Sequence, residues 1–151
     1  MMYHTSRKES SRMDEACNVI VDASQMLSTP IYPTLGIDID GCTDKSPVFF
    51  CVLASRWPGE VLIISYRNDY AKAEAVLIKY DIRFDEFFLV KSFDEKAKFI
   101  KERGIGIFFD DQPEKLKEVP PSCQVMLVRN DGNFDFDDQK RVLFEETGKL
   151  I

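Results

Sequence analysis

From Leu35 onward, short apolar runs alternate with stretches whose apolar residues recur every three or four positions. Thr34–Ile39, Val61–Ser65, Phe87–Val90, Ile105–Phe109 and Gln124–Val128 are brief and almost wholly apolar, which is the signature of parallel strands buried on both faces. Between and after them, Ser46–Arg56, Tyr70–Tyr80, Asp94–Arg103, Pro113–Glu118 and Asp138–Glu146 read as helices. The glycine in "KERGIG" closes the third of these, and "WPGE" ends the first. Such alternation predicts an α/β domain, a mainly parallel five-stranded sheet with helices on both faces. Residues 1–34 read as an extension, with a short amphipathic helix at Met13–Leu27 broken by the two prolines of "STPIYP". Phe49, Phe50, Phe87, Phe88, Phe108 and Phe109 read as core.

The polar residues cluster at one repeated place, just past each strand. Asp38 and Asp40 close the first strand, "SYRND" closes the second, "KSFDEK" follows the third, "DDQPE" closes the fourth and "RNDGNFDFDD" follows the fifth. In a parallel sheet all strand C-termini share one edge, where ligands bind, so five separated clusters should converge.

Composition narrows the chemistry. The chain has 151 residues, 44% of them hydrophobic and 30% charged, which suits one globular domain. A net charge of −6 argues against non-specific binding to nucleic acid or to an anionic membrane surface. No uninterrupted apolar segment is long enough for a signal peptide or membrane span, and the four cysteines have no CxxC spacing. A cytoplasmic location with reduced thiols is the corresponding expectation. His4 is the sole histidine and lies in a polar stretch near the N-terminus, which excludes multi-histidine zinc sites and leaves a histidine-activated nucleophile without a base in the core. Chemistry then falls to carboxylates, lysine, arginine and hydroxyls. Cys42, beside the acidic pair, lacks an activating partner and reads as a small turn residue.

Asp38 and Asp40 stand two residues apart at the end of the first apolar run. On a continuing strand both side chains would point the same way, and two adjacent carboxylates repel unless a proton or a cation intervenes. "DIDG" with Asp38 and Asp40, Ser65 in "IISYRND", Lys96 in "FDEKAKFIKERG" and Asp110–Asp111 in "IFFDDQPE" resemble, in order and at strand ends, the haloacid dehalogenase superfamily of phosphohydrolases. The resemblance spans about Leu35 to Val128 and implies a Rossmann-like three-layer α/β/α sandwich over residues 35–151. It implies Mg²⁺ held by Asp38, by Asp110 or Asp111, and by the backbone carbonyl of Asp40. It implies Asp38 as nucleophile forming an aspartyl-phosphate, Asp40 as general acid and base, Ser65 as a phosphoryl hydrogen-bond donor, and Lys96 as counter-charge. Such chemistry is coherent, because phosphoryl transfer needs positioning and charge neutralisation above all. The implied substrate is a phosphomonoester.

Each residue also has a structural alternative. A strand-end aspartate often starts a turn or caps a helix, Asp111 and Glu114 fit a capping box, and Lys91 or Lys98 rivals Lys96. Arg67 and Asn68 follow Ser65 and should face the same edge. Arg67 suits a second anionic group of a substrate or a surface ion pair. Asn133 and Asp135 line the site or form turns.

Two departures from the family pattern matter. Few residues separate the acidic pair from the first helix, so the usual flap is short, and no insertion is large enough for a cap. A capless chain suits a large substrate, or a homo-oligomer in which another subunit closes the site. A binding or regulatory protein of the same fold with little turnover, and a phosphotransferase using the same residues, are the alternative functions.

Overall fold

The computed structural model describes residues 32–145 and 147–151; the expected helix at Met13–Leu27 lies outside them. The chain divides at Tyr32, and the unit Pro33–Ile151 carries all the elements considered below. No helix among the described residues is long and apolar enough to cross a membrane.

Five parallel strands form one sheet in the order β3-β2-β1-β4-β5. They are β1 (Thr34–Ile37), β2 (Val61–Tyr66), β3 (Glu86–Val90), β4 (Ile105–Asp110) and β5 (Gln124–Leu127). Helices α1 (Pro47–Arg56), α2 (Tyr70–Lys79) and α3 (Phe93–Glu102) connect the first four strands. On one face Leu35, Ile37, Val61 and Ile63 pack with Phe50 and Ala54 of α1 and with Ala73 and Leu77 of α2. On the other, Leu62, Ile64 and Phe108 pack with Ile100 of α3 and with Leu116 and Cys123. The result is a three-layer, Rossmann-like α/β/α sandwich. Handedness explains it: right-handed crossovers put the helices of β1→β2→β3 on one face, and the return from β3 to β4 puts α3 on the other.

Local chemistry sets the helix starts. The Asp69 side chain accepts from Lys72 N at 3.0 Å to cap α2, and Ser92 Oγ accepts from Glu95 N at 3.0 Å to cap α3. On α3 the inward stripe is Lys96, Ala97 and Ile100, a helical face in which one charged residue replaces an apolar one.

Several expectations are corrected. Strand β1 stops at Ile37, and Ile39–Thr43 form a tight turn, so Asp38 and Asp40 do not share a strand face. Pro113–Glu118 is not a helix; one turn, Pro113–Lys115, ends because Glu118 takes a positive φ and Pro120–Pro121 follow. The described part of the expected helix Asp138–Glu146, residues 138–145, is not helical either. Phe134–Asp135 (β6) and Lys140–Arg141 (β7) form an antiparallel hairpin. Asp135 Oδ1 accepts from Asp137 N and Asp138 N at 3.0 Å, a local turn that outcompetes the helix. Phe50, Phe87 and Phe108 are core, whereas Phe49 is half exposed.

Gly36, in the central strand, leaves the space that the Phe108 ring fills; a Cβ there would stand 2.4 Å from Phe108 Cδ2. Gly36→Ala is therefore expected to destabilise the fold by about 1–3 kcal/mol, the usual range for overpacking. Urea denaturation of the two proteins checks this, and equal midpoints would contradict the packing.

Candidate functional site

Strand β1 is the point at which the sheet order reverses, with β2 on one side and β4 on the other, and a crevice opens beyond its C-terminal end. Asp38 lies immediately past β1, Ser65 near the end of β2, and Asp110 at the end of β4. A bond from Asp38 N to Phe109 O, 3.0 Å, holds the first and third of these side by side. Helix α3 then delivers Lys96, whose side chain is only 1% exposed.

The Lys96 ammonium donates to Asp38 Oδ2 at 2.6 Å and to Asp110 Oδ2 at 3.0 Å. Each carboxylate uses its other oxygen on the backbone: Asp38 Oδ1 accepts from Ile39 N at 2.6 Å, and Asp110 Oδ1 accepts from Gln112 N at 2.7 Å. The Phe108 ring lies 5.8 Å from the ammonium and floors it. Asp111 completes a trio: Asp38, Asp110 and Asp111 each offer an oxygen within 4.8 Å of the others. Lys96 is thus the lysine that meets the acidic groups. Lys98 pairs with Glu102 on the outer face of α3 at 3.7 Å, and Lys91 is exposed past β3.

Three carboxylates face one ammonium, so full ionisation leaves two negative charges in a poorly solvated place. Burial pushes the Asp38 carboxyl up to about 6, with Lys96 opposing and Asp110 adding to the rise. Asp111 is pushed up to about 7 by burial and then by Asp38 and Asp110. Burial alone would lower Lys96, but Asp38 and Asp110 overcome it and hold the ammonium above its ordinary value. The donor set fits a hard divalent cation, which takes carboxylate oxygens and would cancel the residual charge. Burial also pushes the Cys42 thiol well up, in keeping with a packing role.

Asp40 points elsewhere. Its carboxylate is gripped by the Arg67 fork, Nε to Oδ2 at 2.8 Å and Nη2 to Oδ1 at 2.5 Å. The buried Ser65 hydroxyl stands 3.5 Å from Asp40 Oδ2 and also acts on Asp38. The turn is possible because Gly41 takes φ 72° and packs where a Cβ would lie 2.5 Å from the Asp111 side chain.

The trio is braced from behind by residues that the sequence did not single out for this role. Asn133, 1% exposed, donates to Asp111 O at 2.9 Å and to Val128 O at 2.7 Å. Asn130 donates to Gly41 O at 2.9 Å, tying the Asp40 turn to the loop after β5. Arg141 of β7 donates to Asp111 O at 2.7 Å and pairs with Glu114 at 2.6 Å, so Glu114 serves this pair rather than a capping box. Asp135 caps its own turn, and the Arg129 guanidinium stacks 4.5 Å from the Phe134 ring centre.

A cavity of about 220 Å³ reaches two of the trio, Asp38 and Asp111; Asp40 and Lys96 also line it, and Phe144, Glu145 and Gly148 wall it. A bond from Phe144 N to Gln112 Oε1, 2.7 Å, fastens that C-terminal wall. The site expected to be open for want of a cap thus has one side closed by the chain itself.

In metal-free protein, folded Asp38 and Asp111 keep protons that an unfolded chain releases. That contribution is full below the ordinary carboxylate value of 3.8 and is lost as pH rises through about 7. Metal-free protein should therefore melt at lower temperature at pH 8 than at pH 5. Asp111→Asn should recover on the order of 1–2 kcal/mol at pH 8, allowing for solvent screening. Mg²⁺ at a hundredfold excess over its Kd should return about 2.7 kcal/mol to the parent protein and much less to the variant. Thermal melts in chelator or Mg²⁺ read all of this, and superimposable curves would contradict it.

No family model, curated protein or solved structure matches this chain, so its reading rests on the arrangement just described.

Proposed function

We propose that the protein is a Mg²⁺-dependent phosphohydrolase of haloacid dehalogenase type that works through an aspartyl-phosphate. The observation that carries this reading is a buried Asp38 held by Lys96 at 2.6 Å, beside two further carboxylates, at the floor of a small cavity. An aspartate kept for structure needs neither the acidic neighbours nor the access.

Asp38, Asp110 and Asp111 would hold the cation, which when bound supplies charge neutralisation to the transferring group. A carboxylate oxygen of Asp38 attacks phosphorus, and the bond from phosphorus to the leaving oxygen breaks. Asp40, in its protonated form, gives its proton to that oxygen, releasing the alcohol. A water then attacks phosphorus while Asp40 takes its proton; the bond to Asp38 breaks, and inorganic phosphate leaves. Lys96 offsets charge on Asp38 throughout, and the Ser65 hydroxyl donates toward the phosphoryl oxygens. The backbone bond from Ile39 N fixes the carboxylate rotation, so little reorganisation is needed.

One observation favours a second reading, a binding or regulatory protein. Both Asp40 oxygens are occupied by Arg67, so the general acid is not free as it stands. Turnover separates the two. The hydrolase should cleave 4-nitrophenyl phosphate with Mg²⁺ and not in chelator, and Asp38→Asn should lower kcat at least ~10³-fold. Mg²⁺ binding by calorimetry with no turnover across a broad phosphomonoester panel favours the binding reading instead. A phosphotransferase would show itself by faster turnover with added acceptor alcohols.

The leaving group gives a separate check on Asp40. Asp40→Asn should cost ~10²–10⁴-fold with an alkyl phosphate, whose alkoxide needs a proton, and much less with the nitrophenyl ester. Equal losses on both esters would remove Asp40 from the acid role.

A further inference from the structure

Beside the carboxylate cavity lies a groove of about 710 Å³, and the two share Asp40 and Tyr66 in their walls. Its volume is that of a small-molecule site. The C-terminal ends of β2 and β3 and the residues just past them build it: Tyr66 and Leu89 give an apolar side, and Arg67, Asn68 and Lys91 give donors. Among the described residues Asp40 is the one carboxylate that lines it, and Arg67 already neutralises that carboxylate. The Lys91 ammonium makes no ion pair among the described residues, although Glu95 Oε2 accepts from the Lys91 backbone N–H at 2.6 Å; the described lining thus holds two cations, Arg67 and Lys91, to one carboxylate on a chain whose net charge is −6. The Arg67 fork spends two of its five N–H groups on Asp40; among the described residues nothing accepts from the other three.

We propose that this groove holds the leaving group of the substrate and selects phosphomonoesters whose leaving group carries a second anion, a carboxylate or a second phosphate, for which Arg67 exchanges Asp40. This rests on the phosphohydrolase reading for the neighbouring cavity. The exchange is favourable on charge grounds, because it replaces one carboxylate partner of the fork by another anion while Lys91 adds a second cation. It also does two things at once. The guanidinium that recognises the substrate vacates both oxygens of Asp40, and Asp40 stands between the groove and the cavity, where the leaving oxygen must lie. A substrate without the second anion leaves Arg67 on Asp40 and the acid engaged. The apparent obstacle to turnover thereby becomes the means of selection.

Phenyl phosphate, 3-carboxyphenyl phosphate and the corresponding phenylene 1,3-bisphosphate test this, since they share a ring and differ in the second group. Parent protein with Mg²⁺ should show kcat/KM ~10–100-fold higher for the carboxylated ester, the effect of one charge-assisted contact. The gain should appear in kcat as well as KM, because the fork also frees Asp40. Arg67→Ala should bring that ratio to within about threefold of one, Arg67→Lys should restore part of it, and Lys91→Ala, at an exposed position, should shrink it several-fold. A preference for both charged esters, or for the bisphosphate alone, supports the groove and says which anion it takes. A ratio near one in the parent protein, or a ratio unchanged in Arg67→Ala, overturns it.

The second arm does not need turnover. Asp38→Asn protein with Mg²⁺ is titrated calorimetrically with phenyl phosphate and its carboxylated analogue, with and without Arg67→Ala. Tighter binding of the carboxylated ester that depends on Arg67 sustains the groove even where no ester is hydrolysed, a result that would sink the hydrolase reading alone. Hydrolysis of all three esters with equal binding sinks the groove and leaves the hydrolase reading standing.

Discussion

The Lys96 ammonium, buried under α3 and bonded to Asp38 and Asp110 within 3.0 Å, is the interaction on which the remainder depends. Taking three ionised groups out of water is expensive, and a buried ion pair of this kind is rarely kept for stability, since apolar residues of similar volume serve as well or better. What the lysine does here is positional. It holds the carboxylates that follow β1 and end β4 at one place, taking Oδ2 of each. It also leaves the acidic charge unbalanced: among the described residues Asp111 forms no ion pair, and burial first, with Asp38 and Asp110 adding, raises its affinity for protons. The three carboxylates could hold a divalent cation, whose charge would balance theirs.

Each part of the fold contributes to that placement. Placing β1 between β2 and β4 sets Asp38 beside Asp110, with Ser65 on the other flank. Gly36 lets Phe108 lie flat across the central strand, and Phe108 in turn floors the ammonium. Gly41 lets the turn after β1 approach Asp111 closely. The loop after β5 and the β6–β7 hairpin then grip the backbone of Asp111 through Asn133 and Arg141. These contacts explain why the last part of the chain, which contributes little to the main sheet, is ordered against the site. Catalytic or binding groups need such supporting bonds to be held within a fraction of an ångström.

Much of this was legible in the sequence, and the exceptions have physical causes. The five strands show as apolar runs because a parallel sheet buries both faces of its strands, and their polar ends show because the chain must reach water there. Lys96 was named by the resemblance alone, with Lys91 and Lys98 as rivals; the fold separates them, because Lys96 shares the inner face of α3 with Ala97 and Ile100 whereas Lys98 pairs with Glu102 outside. Asp40 was placed near Asp38 by its spacing, but the strand ends one residue before Asp38 and the glycine turn sends the second carboxylate to Arg67. No local pattern predicts that. The C-terminal hairpin read as a helix because charged and apolar residues there recur at helical spacing. Its actual form is set by the Asp135 turn and by Arg141 reaching a carbonyl thirty residues away in sequence, a tertiary contact that propensity does not contain. Asn133 was marked only as lining the site or forming a turn, not as a brace for Asp111, and Arg141 gave no signal beyond being polar.

Diffraction from crystals soaked in Mn²⁺, read by its anomalous scattering, examines the centre of this account most directly. The account predicts one strong peak between Asp38, Asp110 and Asp111, with carboxylate oxygens about 2.0–2.2 Å from the ion and Lys96 still on Asp38. A metal-free trio in a saturated crystal, or an ion bound at some other cluster while these three carboxylates stay apart, would contradict it.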